Sequence, residues 1–399
     1  MSCPVRIFVS AGEVSGDQIL ARVLAALRRR LPGAGLEISG LGGGESAREG
    51  LAPLLPMART AVSGVGDVLA SALFLSRMRR LALRALDPPG GRRPDLALLV
   101  DYPGLNLGLA RRARKLGIPV LYVAPPQAWL YRDPERKAAK ARRALEGAVV
   151  QVLYPFEAAL FTNGSGGAGG PAKVVSGHFL PEATDADARR PGPAGGLLLL
   201  CPGSRLPALR RNLPAWLKAF RSAGILDAAG IAKAGGPGPG PVRAAVLAPP
   251  HLEEEVRGLL RRCEADAPGA AAMEVRTVKE TALRDARWAV AFPGTVTLEL
   301  ALAGVPCAVA AALDPLTLAV GRRLIRGPWL GLPNLLLGEE AFPEWAGRPA
   351  GLGAAAADLW ERLREADGPG AAARLRELLG PPRGAEIAAE ECLKILEKS

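Results

Sequence analysis

The sequence predicts two α/β domains, each a doubly wound parallel sheet covered by helices on both faces. Three observations carry this reading. Short apolar runs recur along the chain and are nearly continuous in hydrophobicity, as strands buried on both faces of a parallel sheet must be. Each run is followed by a loop and then by residues at helical spacing. The 399 residues, 49% of them hydrophobic, are too many for one typical core and enough for two of roughly 150–200 residues each.

The first run, residues 5–9, is followed by Ile19, Leu20, Val23, Leu24 and Leu27, which form one apolar helical stripe. Runs at 95–100, 120–123 and 149–153 complete a first set of strands, and runs at 197–200, 244–247, 288–291 and 306–310 form a second. Residues 181–196, polar and rich in Asp, Pro and Gly, read as the linker between the sets. The expected organisation is an N-terminal domain over 1–185, a C-terminal domain over 186–370, and helices over 371–399 that pack back on the first domain. The glycine- and proline-rich inserts at 164–171 and 235–241 read as surface loops. Because the 48 glycines and 36 prolines are not periodic, a collagen-like chain is excluded.

A formal net charge of +12 points to an anionic partner: nucleic acid, a phosphorylated substrate or an anionic membrane. The competing account is solubility combined with a preference for arginine. No basic run interleaved with aromatics supplies a nucleic-acid platform, so no nucleic-acid partner is expected. Five widely spaced cysteines without a Cys-x-x-Cys pattern fit a reducing cytoplasm, and with two histidines a zinc site is not expected. The first ten residues lack a signal-peptide profile, and no apolar run is long enough to span a bilayer. The expected location is therefore cytoplasmic, with any membrane contact peripheral. Residues 65–86 carry Leu69, Leu73, Phe74, Met78 and Leu81 among Arg77, Arg79, Arg80 and Arg84. That pattern suits either a membrane surface or a core helix with an arginine-rich outer face.

Five motifs follow strand ends or open helices. Ala11-Gly12-Glu13-Val14-Ser15-Gly16-Asp17 turns from the first strand into a helix whose free N–H groups can hold an anion or a hydroxyl; local physics alone favours an ordinary strand–helix turn with Asp17 as a dipole partner. Asp101-Tyr102-Pro103-Gly104-Leu105-Asn106 sets a carboxylate at the carboxyl end of a buried strand, where it can accept a proton or cap the next helix. Cys201-Pro202-Gly203-Ser204-Arg205 makes a phosphate clamp, since a helix start disfavours a cation unless an anion is present. In Pro293-Gly294-Thr295-Val296-Thr297-Leu298-Glu299 the amides of Gly294 and Thr295 can bind a diphosphate, and Glu299, one turn further on, can accept from ribose hydroxyls. Asn334, between Pro333 and an apolar run, can cap a helix or bond a base or phosphate.

In this order, and with Pro126-Gln127-Ala128-Trp129, Tyr154-Pro155-Phe156-Glu157 and Gly177-His178, the motifs resemble the lipid-A-disaccharide synthase family from about Ile7 to Glu344. The resemblance implies the GT-B arrangement of two facing Rossmann-like domains, the first for acceptor and lipid, the second for UDP-sugar. It implies inverting transfer of 2,3-diacylglucosamine from its UDP derivative to 2,3-diacylglucosamine 1-phosphate (lipid X), giving a β-1,6-linked disaccharide 1-phosphate and UDP. Asp101 matches the general base; Arg205, Gly294, Thr295, Glu299 and Asn334 match the UDP site; Glu13, Ser15, Asp17, Asn106, Gln127 and His178 match crevice positions without assigned roles. No metal or other cofactor is implied. The expected partners are UDP-diacylglucosamine, lipid X and, peripherally, the anionic inner face of the cytoplasmic membrane. The chain departs from the family pattern at Gly104, Ala208, Ala311, Ala312 and Gly347. Competing functions are another GT-B UDP-sugar enzyme, such as a UDP-GlcNAc 2-epimerase or the lipid II transferase, and a non-catalytic binder of UDP-sugar or anionic lipid.

Overall fold

The computed structural model describes residues 4–32, 35–55, 65–162, 169–180, 197–227, 231–232, 242–324 and 327–398. The proposed linker at 181–196 and most of the two inserts, 163–168 and 233–241, lie outside these. The chain divides into two compact units, Met1–Leu180 with Pro381–Ser399, and Pro181–Gly380.

The first unit runs β1 (Val5–Ala11), α1 (Val14–Arg30), β2 (Leu36–Leu41), α2 (Gly44–Arg48), β3 (Leu51–Pro53), α3 (Val65–Leu86), β4 (Leu96–Val100), α4 (Pro103–Lys115), β5 (Val120–Val123), α5 (Pro134–Ala144), β6 (Val149–Val152), α6 (Ala158–Thr162) and β7 (Lys173–Ser176). Its strands order as β3-β2-β1-β4-β5-β6-β7 and are all parallel. The side chains of β1 alternate between the two faces: Phe8 joins Met78, Leu86, Leu99 and Tyr122 on one, while Ile7 and Val9 join Leu20, Val23, Leu24 and Leu27 of α1 on the other. From Phe74 onward, where its side chains are described, α3 is a core helix. Met78, Ala82 and Leu86 are buried, and Arg77, Arg79, Arg80 and Arg84 face solvent.

The second unit runs β8 (Leu197–Cys201), α7 (Leu206–Ser222), β9 (Ile231–Ala232), β10 (Val242–Leu247), α8 (Glu253–Cys263), β11 (Glu274–Arg276), α9 (Lys279–Asp285), β12 (Ala286–Ala291), α10 (Thr295–Leu302), β13 (Cys307–Ala312), α11 (Pro315–Leu324), α12 (Leu332–Leu337), β14 (Glu344–Gly347), α13 (Leu352–Glu365) and α14 (Gly368–Leu379). The order is β11-β10-β8-β12-β13-β14, parallel throughout, with β9 added antiparallel to β10. The chain then returns to the first unit as α15 (Gly384–Leu396). There Ala388, Ala389 and Cys392 join the apolar cluster of α1, and Arg30 pairs with Glu390 at 3.2 Å.

In each unit the first strand lies between two others reached in opposite directions, β1 between β2 and β4, and β8 between β10 and β12. Loops leaving the carboxyl ends of such a strand pair diverge to opposite faces and leave a binding crevice at this switch point. The Asp101 and Gly12 turns lie at the first switch point, and the Arg205 and Gly294 turns at the second.

Candidate active site

Two turns lock together at the switch point of the first unit. The Tyr102 ring lies so close to Gly12 that a Cβ there would come within 2.2 Å of it, so close approach demands glycine. Asp101 and Tyr102 both have φ 48°, and Ala124, just beyond β5, has φ 55°. Among the described residues no other non-glycine φ is positive, and all three stand at the adjoining carboxyl ends of β4 and β5. Such backbone costs of order 1–2 kcal/mol per residue and persists only where its surroundings hold it.

Asn106, fully buried, supplies much of that restraint. Its Nδ2 donates to the carbonyls of Asp101 (2.8 Å), Val100 (3.0 Å) and Ser10 (3.2 Å), and its Oδ1 accepts from Ser10 Oγ at 2.6 Å. The buried Tyr122 hydroxyl donates to the Asp101 carbonyl at 2.7 Å. Burial, and then the Asp101 charge, push the Tyr122 hydroxyl well above its ordinary value, so it stays a donor. Asp101 itself is half-buried, on a backbone fixed from β1, α4 and β5.

The remaining motif residues of this unit differ in placement. Asp17 is buried and caps α2: its carboxylate accepts from the N–H groups of Gly43 (2.7 Å) and Glu45 (3.0 Å) and from the Ser46 hydroxyl. Glu13 is the N-cap residue of α1, half-buried, and after burial its charge helps raise the Tyr102 hydroxyl. Ser15 is exposed in the first turn of α1. His178, buried after β7, accepts at Nδ1 from Leu180 N (3.3 Å), and its carbonyl accepts from Gly384 N (3.0 Å) at the start of α15. Gln127 lies half-buried in the loop after β5. Trp129, in the same loop, donates from Nε1 to Oε1 of Glu157 at 2.7 Å.

In the second unit, Phe292 N donates to the Cys201 carbonyl at 2.9 Å and joins the ends of β8 and β12. Gly203 has φ 119°, which favours glycine, and an added Cβ would lie 3.0 Å from Ala208 Cβ. Arg205 is exposed at the N-cap of α7, and Gly294 and Thr295 are exposed at the start of α10. The Thr297 hydroxyl folds back on the Gly294 carbonyl at 2.7 Å and fixes that turn. Glu299, largely buried, accepts from Lys279 Nζ at 3.0 Å. Burial, and then the Glu299 charge, raise the Cys201 thiol at the end of β8.

Asn334 is buried, and its carboxamide is engaged on both sides. Nδ2 donates to the Phe342 carbonyl and to Glu344 Oε1, each at 2.7 Å, and Oδ1 accepts from Phe342 N at 3.0 Å. Glu344 also accepts from Leu330 N (2.6 Å) and Gly331 N (3.0 Å), and burial pushes its carboxyl up to about 7.

The structure thus gathers Glu13, Asp101 and Asn106 at one switch point and Arg205, Gly294, Thr295 and Glu299 at the other. The side chains of Asp17 and His178 meet backbone groups of their own unit, and Asn334 meets backbone and Glu344. Sequence reasoning passed over Tyr122, Glu157, Lys279 and Glu344. The one available signal for Tyr122 was a lone hydroxyl in the apolar run Val-Leu-Tyr-Val; Glu157 was visible only as a motif letter. Among the described residues no group of three or more His, Cys, Asp or Glu side chains could hold a metal ion. A side chain at Gly104, where the chain departs from the family pattern, would enter open space.

Two parallel sheets of this order, each with a turn at its switch point, are those of the GT-B glycosyltransferase fold. Solved structures agree. The chain matches Acinetobacter baumannii MurG with a TM-score of 0.53 at 18% identity, covering 100% of both chains. It matches Arabidopsis thaliana UGT89C1, solved with UDP, with a TM-score of 0.57 at 15% identity, covering 98% of this chain and 99% of that one. The particular family follows from sequence. The profile described as "Lipid-A-disaccharide synthetase" matches residues 7–219 and 247–371. The lipid-A-disaccharide synthase of Azotobacter vinelandii is 33% identical over 353 residues, 86% of each chain, and that of Syntrophus aciditrophicus is 33% identical over 414 residues, 98% of each. The chain belongs to the lipid-A-disaccharide synthase family and is a glycosyltransferase; the epimerase, lipid II transferase and non-catalytic readings are not favoured.

Proposed function

We propose that the chain joins 2,3-diacylglucosamine from its UDP derivative to 2,3-diacylglucosamine 1-phosphate, releasing UDP. In this reading the first unit holds the acceptor and the second the UDP-sugar. Asp101 takes the proton of the acceptor 6-hydroxyl as its oxygen attacks the anomeric carbon. The bond to UDP breaks in the same displacement, so the anomeric configuration inverts. The departing diphosphate is stabilised by the Arg205 guanidinium and by the free N–H groups at the start of α10, with Gly294 and Thr295 at the turn. Glu299 accepts from the ribose hydroxyls.

The observation that carries the acceptor half is the restrained Asp101 turn: three left-handed residues at one switch point are the strain expected where a group is held ready for chemistry. The reaction takes place at the inner face of the cytoplasmic membrane. Supporting this are the outward arginines of α3 with the exposed Leu75. The test uses purified protein with UDP-2,3-diacylglucosamine and lipid X in detergent, products followed by mass spectrometry. A disaccharide 1-phosphate that requires both substrates is expected; UDP-sugar bound without acceptor-dependent product would overturn the reading.

A further inference from the structure

The motifs at 126–129 and 154–157 have no part in the reaction as written above. We propose that Glu157 is a positioning residue for the acceptor, holding the loop after β5 beside Asp101 through its bond to Trp129. This rests on Asp101 acting on the acceptor.

The loop starts next to Asp101. Val100 pairs with Val123, and Asp101 N donates to the Val123 carbonyl at 2.9 Å. The first loop residue, Ala124, is tied to β6 by its N–H on the Gln151 carbonyl at 2.9 Å. The second tie is at Trp129, and it again comes from the end of β6: Trp129 Nε1 donates to Glu157 Oε1 at 2.7 Å. The indole also packs edge-on against Phe156, ring centres 5.2 Å apart, and Tyr154, 6.2 Å apart, while those two rings stack at 5.7 Å. The loop is thus strung between the base turn on one side and the β6 turn on the other.

Glu157 is fitted to couple two segments. It is 2% exposed, and its Oε2 accepts from the N–H groups of Leu153 and Tyr154, each at 2.9 Å, closing its own turn. One oxygen suffices to cap a turn; the second reaches another loop. Three N–H donors converge on two oxygens, which a carboxylate satisfies and a carboxamide cannot, since its nitrogen would face a donor. Burying a carboxylate is costly, so a residue serving its own turn alone would be better replaced by a smaller neutral cap. The geometry matches a residue that trades burial cost for a fixed position of Trp129, and displacement of a reacting group by an ångström costs up to about a hundredfold in rate.

Glu157→Gln keeps shape and breaks one of the two ties; Trp129→Phe removes the indole N–H together with the five-membered ring and keeps one aromatic ring in the contact with Phe156 and Tyr154. Each variant is expected to lower kcat/KM for lipid X by about tenfold or more, with the KM for the UDP-sugar within about twofold of wild type. The double variant should be no worse than the worse single one, because both remove one interaction. Thermal melts show which variants fold, and Trp129→Phe keeps the test open if Glu157→Gln does not. A folded Trp129→Phe with wild-type acceptor constants overturns the proposal, as does an equal rise in both KM values, the mark of a merely structural role. A wild-type chain that forms no disaccharide fails the reaction itself and the positioning role with it; an active wild type with unaffected variants fails the positioning role alone.

Discussion

Asp101 adopts a backbone that aspartate and asparagine tolerate better than most residues, and Asn106 and Tyr122 hold that backbone through its carbonyl. Asp101→Asn therefore isolates the charge: it keeps size and left-handed tolerance and removes the proton acceptor. A fall in kcat of about 10²–10⁴ is expected, with UDP affinity by calorimetry and melting temperature near wild type. Near-normal kcat would remove Asp101 from the role of base. Asn106 teaches a different lesson. As a letter of a motif it resembles a ligand-binding residue, yet its four bonds join β1 to the end of β4 across 96 positions of sequence. A partner that far along the chain has no local signature.

At the scale of elements, α1 is the clearest case of a helix made by its stripe. Leu20, Val23, Leu24 and Leu27 are fully buried between β1 and α15. Leu24→Ala should cost about 2–5 kcal/mol, read as a lower denaturant midpoint with an unchanged slope. A loss under about 0.5 kcal/mol, the range of ordinary surface changes, would mean that the stripe does not carry the packing. The strands that sequence reasoning found include all those buried along their whole length, β4, β5, β8 and β13, and others that are buried over most of it, such as β1 and β12. The ones it passed over are half-exposed, short or at an edge. β2 alternates toward solvent, β3 has three residues and ends in Pro53, and β11 and β14 lie at the two edges of the second sheet. The same physics divides the site. The place of Asp101 at the carboxyl end of β4 was legible because the apolar run stops there. The Trp129–Glu157 bond was not, because two separate loops must first be folded to bring it together.

Across the whole molecule, each unit has among its described residues one carboxyl, buried Glu157 and half-buried Glu344, that loss of solvent pushes up to about 7. An acid whose native pKa lies above its unfolded value of about 4.5 binds a proton more tightly when folded. Its contribution is fully present below about 4.5 and is lost as pH rises to about 7, at most roughly 3 kcal/mol for each such group. Glu391 behaves oppositely: burial pulls it up, but its bonds to Lys173 and Lys394 prevail and hold it below the usual carboxylate range. Its contribution is present above the unfolded pKa and is lost in more acidic solution. Melting temperature should therefore decline from about pH 5 to pH 7.5, and Glu344→Gln should flatten that decline by several degrees; parallel curves for wild type and variant would contradict it. The placement of α15 has a further consequence, for the order of events during synthesis. The ribosome makes α15 only after every strand and helix of the second unit, yet Ala388, Ala389 and Cys392 complete the cluster around α1. The second unit has all its elements in hand while the first still shows the flank of α1 to water. The half of the molecule that is translated first is the half that is finished last, and until then a nascent chain carries a sticky seam that chaperones would recognise.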